Sequence, residues 1–461
     1  MTKEESIKDY LEETINYAVK QKVDVIIGKG IENVENQIRF SQKKIDINKQ
    51  WQSARIEFML VVNNNYMVTG EFSPTSKEMV KLEIDQAIEF ANKVDPSFLF
   101  QGVEDKIQPF PTIENAYDKK IDEFTVESPE LVNTAIDAAI DSGAKRVAGS
   151  LLFGKRLETL MSSAGPKGDF ASTYYNLTIR AFQETLDSSG QGLICGRSFK
   201  NVEAEFKNAG KRAGKFSKLH LDCKQGKPGT YDLILTPAVA GNLLGGLVEM
   251  ANPIQVMVGM SPFQDKLGEE IAPENITVSD DALMPGGLGS EPYDFEGTPH
   301  RTTPIIKDGA LVNFIHNTST ASIFDVETTG NSALADLGVG SKLLAPVASN
   351  LVFNNGNYSF EELLEGSKPI IYVTCNWYTR FTSYVSTEFS SIPRDAMFLV
   401  EKNELSQPIK NVRISDNLLR MLKNISAMGN DRVQVQWWEV STPTFIPTIK
   451  ISDCKITAAT I

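Results

Sequence analysis

The sequence predicts an α+β protein: an N-terminal α/β lobe with helices on a mixed sheet, then a mostly antiparallel, barrel-like β lobe carrying a few helices. Three observations predict it. A helix followed by three strand-like segments occurs near the start and again from residue 129. Glycine and proline cluster at 224–230. Beyond that stretch, strands and turns dominate. With 461 residues, 41% of them hydrophobic, the chain can bury a sizeable core in two or three domains.

Residues 5–21 read as a helix entered from the charged Met1-Thr2-Lys3-Glu4-Glu5, with Ile7, Tyr10, Leu11, Ile15, Ala18 and Val19 on one stripe. Strand-like segments follow at 23–27, near 37–47 and near 53–62, with a turn at Asn63-Asn64-Asn65. Residues 76–94 form a second helix, with Val80, Ile84, Ala87, Ile88 and Ala91 on its apolar face. Residues 95–127 hold Pro96, Pro109 and Pro111 with little periodicity and read as a connector. The order then repeats: a helix at 129–142, strands near 147–152, 156–163 and 172–183, and a helix at 200–212. No residue-level identity accompanies the repeat, so it only suggests a duplication. The linker is Lys224-Gln-Gly-Lys-Pro-Gly-Thr230. Three units follow: an α/β subdomain at 1–110, a second at 111–223 and a β-rich domain at 224–461.

In the last unit, 231–235 is a strand and 237–251 an apolar, glycine-containing helix. Ser359-Phe-Glu-Glu362 has capping-box spacing and opens a short helix that stops at Gly366. Residues 370–374, 398–401 and 433–438 are strands, and 415–428 reads as a helix between a Ser-Asp-Asn cap and Gly429-Asn430.

Composition narrows the function. The net charge is −13 and the basic residues are dispersed, which argues against a nucleic-acid backbone as partner. Cys195, Cys223, Cys375 and Cys454 form no C-x-x-C pair and read as reduced cytosolic thiols. There is no apolar signal core and no run of about 18 apolar residues, so a soluble cytoplasmic protein without a membrane span is expected.

Motifs for chemistry are sparse. His220, His300 and His316 show no i, i+4 pairing and no H-E-x-x-H. His316 falls in an apolar strand, 311–316, and reads as structural; His300 follows Pro299 in a turn and reads as solvated. There is no G-x-S-x-G elbow. Gly241-Asn-Leu-Leu-Gly245-Gly246 reads as close helix packing and Gly286-Gly287-Leu-Gly289 as a tight loop, neither being a phosphate fingerprint. Asn376-Trp377-Tyr378-Thr379-Arg380-Phe381 crowds three aromatics and an arginine at a strand end, which suits either a binding groove or edge packing with a cation–π contact. Arg394-Asp395 reads as a structural pair in a turn.

Several segments, in order and across nearly the whole chain, resemble the TldD/PmbA family. They are Ile38-Arg39-Phe40-Ser41, the helix Ala240–Leu247, Asp265-Lys-Leu-Gly268, Phe295-Glu-Gly-Thr298, Thr329-Gly-Asn331, Asn376–Phe381, and Arg394-Asp395 with Phe398-Leu-Val-Glu401. The resemblance implies what catalytic members carry: H-E-x-x-x-H on the helix at 237–251 and a later cysteine, binding a metal, with the glutamate polarising water for peptide hydrolysis. Here Gly245 and Gly246 stand for the first His and the Glu, and Met250 for the second His. No cysteine precedes Pro447–Ile451, and Cys454 lies beyond it.

That departure is similar to the PmbA/TldE-like branch. It implies a subunit without metal or other cofactor in a cytosolic metallopeptidase complex that processes unfolded peptides, inactive without a zinc-bearing TldD-like paralogue. The dimer would form with that paralogue or with a second copy. The peptide would add as a strand in a groove lined by Gly286–Glu296 and by Asn376, Trp377, Tyr378, Arg380 and Phe381. Two alternatives remain: a self-sufficient hydrolase with Glu249 or Asp395 as general base, and a homodimeric peptide-binding protein without catalysis. The family's association with gyrase modulation implies no DNA contact.

Overall fold

The structure, a computed structural model, describes residues 5–336 and 342–459; the charged N-terminus expected to lead into the first helix lies outside them up to residue 4. Helix α1 (Ile7–Lys20) starts at Ser6, whose hydroxyl accepts from Asp9 N while the Asp9 carboxylate accepts from Ser6 N. Strands β1 (Val25–Gln42), β2 (Lys44–Val62) and β3 (Tyr66–Phe72) then form a meander, followed by α2 (Lys77–Ala91). Helix α3 (Ile121–Asp141), strands β4 (Arg146–Ser162), β5 (Lys167–Phe182) and β6 (Ser189–Gly196), and α4 (Val202–Leu219) complete the lobe.

The six strands make one sheet in the order β3-β2-β1-β4-β5-β6. The α+β class holds. Within it, the N-terminal sheet is antiparallel at every pairing rather than mixed, because each set of strands is linked by hairpins and the two sets meet through antiparallel β1 and β4. The sheet thus runs unbroken across residues 1–110 and 111–223.

Helices cover one face only. Phe40, Leu151, Phe153, Leu177 and Ile179 point into a core with α3 and α4, while Ile26, Phe58 and Leu60 meet α1 and α2. Strand β6, unpredicted, is glycine-rich because α4 lies directly on it: a Cβ on Gly192 would sit 2.1 Å from Ala209 O. Helix α3 starts well before residue 129 and runs through Pro129, and α4 runs past 212 to Leu219.

In the C-terminal lobe, β7 (Gly229–Leu235), β8 (Ile370–Ser383), β9 (Glu388–Glu401), β10 (Val412–Asn417) and β11 (Ile449–Ala458) close into a barrel. Strand β7 runs parallel to β8 and antiparallel to β11; β10 and β9 complete the ring antiparallel. A second sheet holds Val278–Asp281, Thr302–Lys307, Ala310–Leu311, Leu351–Phe353, Val433–Trp437 and Val440–Ile446. Between them, α5 spans 237–248 as α-helical Pro237–Ala240, a π segment Gly241–Gly245 and α-helical Gly246–Val248. Its Leu243, Leu244, Leu247 and Val248 are buried in the main core.

The helix expected over 415–428 is three elements. Strand β10 runs to Asn417, Asn417 caps a helix at Leu418–Lys423 by accepting from Arg420 N, and Ile425–Met428 is a strand on β11. Among the described residues no helix is long and apolar enough to cross a membrane.

Candidate functional site

The uncovered face of the N-terminal sheet turns polar side chains toward the C-terminal lobe. Asn33, Glu35 and Gln37 of β1, Ser150 and Arg156 of β4, and Ser172, Tyr174 and Asn176 of β5 alternate with the residues that meet the helices. A face closed over by another lobe yet lined with polar groups makes a cleft instead of a core. Two adjoining cavities of about 540 and 710 Å³ occupy it, sharing Arg156, Leu288, Glu291, Gln436 and Ser441.

The cleft floor is ionic. Lys29, 7% exposed, lies 3.0 Å from Glu158 and 3.0 Å from Glu291. Arg156 also pairs with Glu158. Burial opposes every charge here. The two carboxylates nevertheless push the Lys29 amine above its usual range, and the Lys29 and Arg156 charges hold Glu291 below the usual carboxylate range.

A second acidic group stands beside it. Asp294 accepts from the backbone N–H of Glu296 (2.9 Å), Thr298 (2.9 Å) and Ser332 (2.9 Å), whereas Glu296 accepts from Thr318 N (3.1 Å) and leaves Oε1 unpartnered. Burial raises both carboxyls, and the Asp294 charge raises Glu296 further.

His300 corrects an expectation: it is half-buried rather than free in a surface turn. Its Nδ1 lies 2.9 Å from Glu291 O, its ring lines the cleft, and burial lowers its pKa to about 4. Its imidazole ring signals in an NMR pH titration should therefore move near pH 4, well below the usual 6.5. His316 is buried as expected but follows the short strand Ala310–Leu311 instead of lying within it; Nδ1 lies 3.3 Å from Thr320 Oγ1.

The aromatic segment sits at the cleft's edge. Asn376 is fully buried and donates to Asn242 Oδ1 (2.8 Å) and Ser391 Oγ (2.9 Å). The Trp377 ring lies 5.4 Å from that of Trp438, which lines the cleft. The Tyr378 ring carries the Arg380 guanidinium at 4.0 Å, and Phe381 stacks on Tyr384. None of the five predicted groove residues lines either cavity directly, whereas Leu288, Gly289, Glu291, Asp294 and Phe295 of the other predicted wall do. The expected Arg394–Asp395 pair does not form. Asp395 binds Arg180 (2.6 Å), and Arg394 lies 3.9 Å over the Trp377 ring.

Residues 228–458 match the family described as the PmbA/TldA metallopeptidase C-terminal domain, half of the chain. The chain belongs to the PmbA/TldD family.

A metalloprotease of Methanocaldococcus jannaschii is 25% identical over 91% of this chain and 80% of its own length. The metalloprotease PmbA of Escherichia coli O157:H7 is 28% identical over 46% of this chain and 44% of its own. Among solved structures, a candidate modulator of DNA gyrase from Thermotoga maritima superposes with a TM-score of 0.82 at 22% identity, covering 98% of this chain and all of its own. TldE from Thermococcus kodakarensis superposes at 0.81 and 18% identity, covering 97% of this chain and all of its own. These likenesses establish the fold.

The PmbA/TldD segments hold the lobe together. Thr329 Oγ1 accepts from His316 N (2.6 Å) and donates to Asn331 Oδ1 (2.7 Å), and Asn331 Nδ2 donates to Asp280 (2.5 Å). Phe295-Glu296-Gly297 turns at Gly297, whose φ is 84°. Of the implied metal positions, Gly245 and Gly246 lie on α5 and Met250 just beyond it, because the helix expected to run to 251 ends at Val248. Gly245 faces Thr444, and a Cβ on Gly246 would meet nothing within 4 Å. Two glycines carry no donor, and the buried Met250 offers only a thioether, so these residues do not fit a zinc site. Among the described residues no three His, Cys, Asp or Glu side chains converge as ligands. Glu249 follows the helix with its carboxyl hydrogen-bonded to Thr442, which lines the cleft, and burial raises its pKa.

Sequence reasoning missed the ionic floor. Lys29 stands between Gly28 and Gly30 in an otherwise apolar strand segment, and Arg156 and Glu158 share one strand face. An isolated charge at a core-facing position was the available signal.

Proposed function

We propose that this chain is the non-metal partner subunit of a cytosolic PmbA/TldD-type metallopeptidase complex that processes unfolded peptides. It supplies cleft surface, while a TldD-like paralogue supplies the zinc. The observation that carries the reading is α5: the helix sits in the core of the family domain, but Gly245, Gly246 and Met250 occupy the motif positions. A cleft walled by a polar sheet face and the 288–295 loop suits an extended peptide, whose main chain needs hydrogen-bonding groups along its length. The Trp377–Trp438 contact puts the aromatic segment at its lip.

The test is zinc content. After incubation with excess zinc and desalting, the purified chain is expected to retain almost none, and affinity capture from native extract to recover a metal-bearing paralogue. One tightly held zinc per chain would overturn the reading. Capture of only a second copy would favour a homodimeric peptide-binding protein. Glu249, with its raised pKa beside the cleft, favours one other reading, a self-sufficient hydrolase. Peptide turnover by the metal-free chain, abolished in Glu249→Gln, would establish it. Asp395 is committed to Arg180 and is a poorer base.

A further inference from the structure

Arg197 stands at the start of the segment between β6 and α4 and lines the larger cavity. It is 4% exposed. Its Nη2 donates to Leu288 O (2.9 Å) and Ser290 O (2.9 Å), which fixes the guanidinium against the cleft wall. Its Nε and Nη1 have no hydrogen-bond partner among the described residues. The Phe170 ring, 5.7 Å away, covers one side. Every other buried cation of the floor has a carboxylate at salt-bridge distance: Lys29 has Glu158 and Glu291, and Arg156 has Glu158. Arg197 feels Glu291 and Glu158 only from further away, and burial without a close counter-ion lowers its pKa to about 10. A buried cation with free donors is costly unless something arriving from outside completes it.

The cleft chemistry says what arrives. Ser172 lines the same cavity and offers a neutral hydroxyl. Of the two acids that line it, Glu35 accepts from Tyr174 Oη (2.9 Å) and Trp51 Nε1 (3.2 Å), and Glu291 is paired with Lys29 (3.0 Å). Resting on the peptide-cleft reading above, we infer that Arg197 binds a carboxylate of the bound peptide and makes the cleft selective for peptides that present one there. The carboxylate is either the peptide's C-terminus or an Asp or Glu side chain. Both present the planar pair of oxygens that a guanidinium recognises. Arg197 lines the cavity of about 710 Å³, so its unpartnered Nε and Nη1 are the donors left for the ligand.

The experiment measures binding of fluorescent-labelled extended peptides to the purified full-length chain by anisotropy. Three versions of one sequence are used: free acid with one internal Glu, C-terminal amide with that Glu, and free acid with Gln in its place. At least one loss of negative charge is expected to weaken binding about tenfold or more, the scale of a charge-assisted hydrogen bond. The version that weakens identifies which carboxylate is read. Arg197→Gln is expected to erase the preference and Arg197→Lys to keep part of it, each checked for folding by circular dichroism. The wild-type comparison stands even if neither variant folds. Equal affinity for all three peptides would overturn the carboxylate inference and leave the cleft reading intact. No binding of any peptide would overturn both.

Discussion

Lys29→Met is expected to destabilise the folded chain by about 3 kcal/mol, because removing one partner of a buried ion pair strands the others. Glu158, 3% exposed, retains Arg156, so the cost falls mainly on Glu291, whose side chain is 25% exposed and loses its 3.0 Å partner. The midpoint of urea unfolding at neutral pH reads the effect, and Lys29→Met with Glu291→Gln should recover most of it. The pH dependence has a definite sign. Glu291 is held below its ordinary value of 4.5 in the folded state, so its contribution is complete above 4.5 and is lost as pH falls through the lowered value. The gap between wild type and Lys29→Met should therefore narrow in acid. An unchanged midpoint for the single variant would mean that the floor is solvated enough for Lys29 to contribute nothing.

Asp294→Ala is the second large effect. Three backbone N–H groups, those of Glu296, Thr298 and Ser332, lose their acceptor in a place where Asp294 is 2% exposed. Each orphaned donor costs about 1–3 kcal/mol, so a total of roughly 3–9 kcal/mol is expected. Asp294→Asn keeps one acceptor oxygen and should fall between. Glu296→Gln, by contrast, replaces a carboxyl whose neutral form is favoured by burial and by the Asp294 charge, and should cost little near neutrality. This pair has the opposite pH sign to Glu291. Glu296, raised by burial and by the Asp294 charge, contributes stability that is complete below its unfolded value of 4.5 and is lost as pH rises through the raised folded value. Wild type should lose stability between pH 5 and pH 9, and Glu296→Gln should flatten that slope. A slope unchanged in Glu296→Gln would place the proton elsewhere.

What the sequence made legible follows from which forces act locally. The stripe of Ile7, Leu11, Ile15 and Ala18 reads as α1 because one face of a helix meets one core. The long strands read as fragments because their middles carry Glu32, Asn33, Glu35, Asn36 and Gln37. That polar run is strand all the same, since β2 and β4 pair with it on both edges. Its side chains look polar because one face lines a wet cleft, which no local pattern announces. Residues 415–428 misled for the reverse reason. Leu418, Met421 and Leu422 do mark a helix, and the helical spacing continued by chance into a strand set by pairing with β11. The segment of Asn376 to Phe381 stood out from its composition, but only tertiary structure separates buried Asn376 from exposed Tyr378 and Arg380. The cleft floor assembles charges from residues 29, 156, 158 and 291, and such a site is invisible until the sheet register and the second lobe bring them together.

The barrel ring has a consequence for how the molecule is made. Its first strand, β7 at Gly229–Leu235, takes one neighbour from Ile370–Ser383 and the other from Ile449–Ala458. During synthesis both edges of that strand stay open until nearly the whole chain has left the ribosome. Strands β1 to β6 complete their sheet without any later strand. The N-terminal lobe is therefore expected to mature first. The nascent barrel strand, whose Leu233, Ile234 and Leu235 are fully buried only once both neighbours arrive, is then the segment expected to be most open to misassociation.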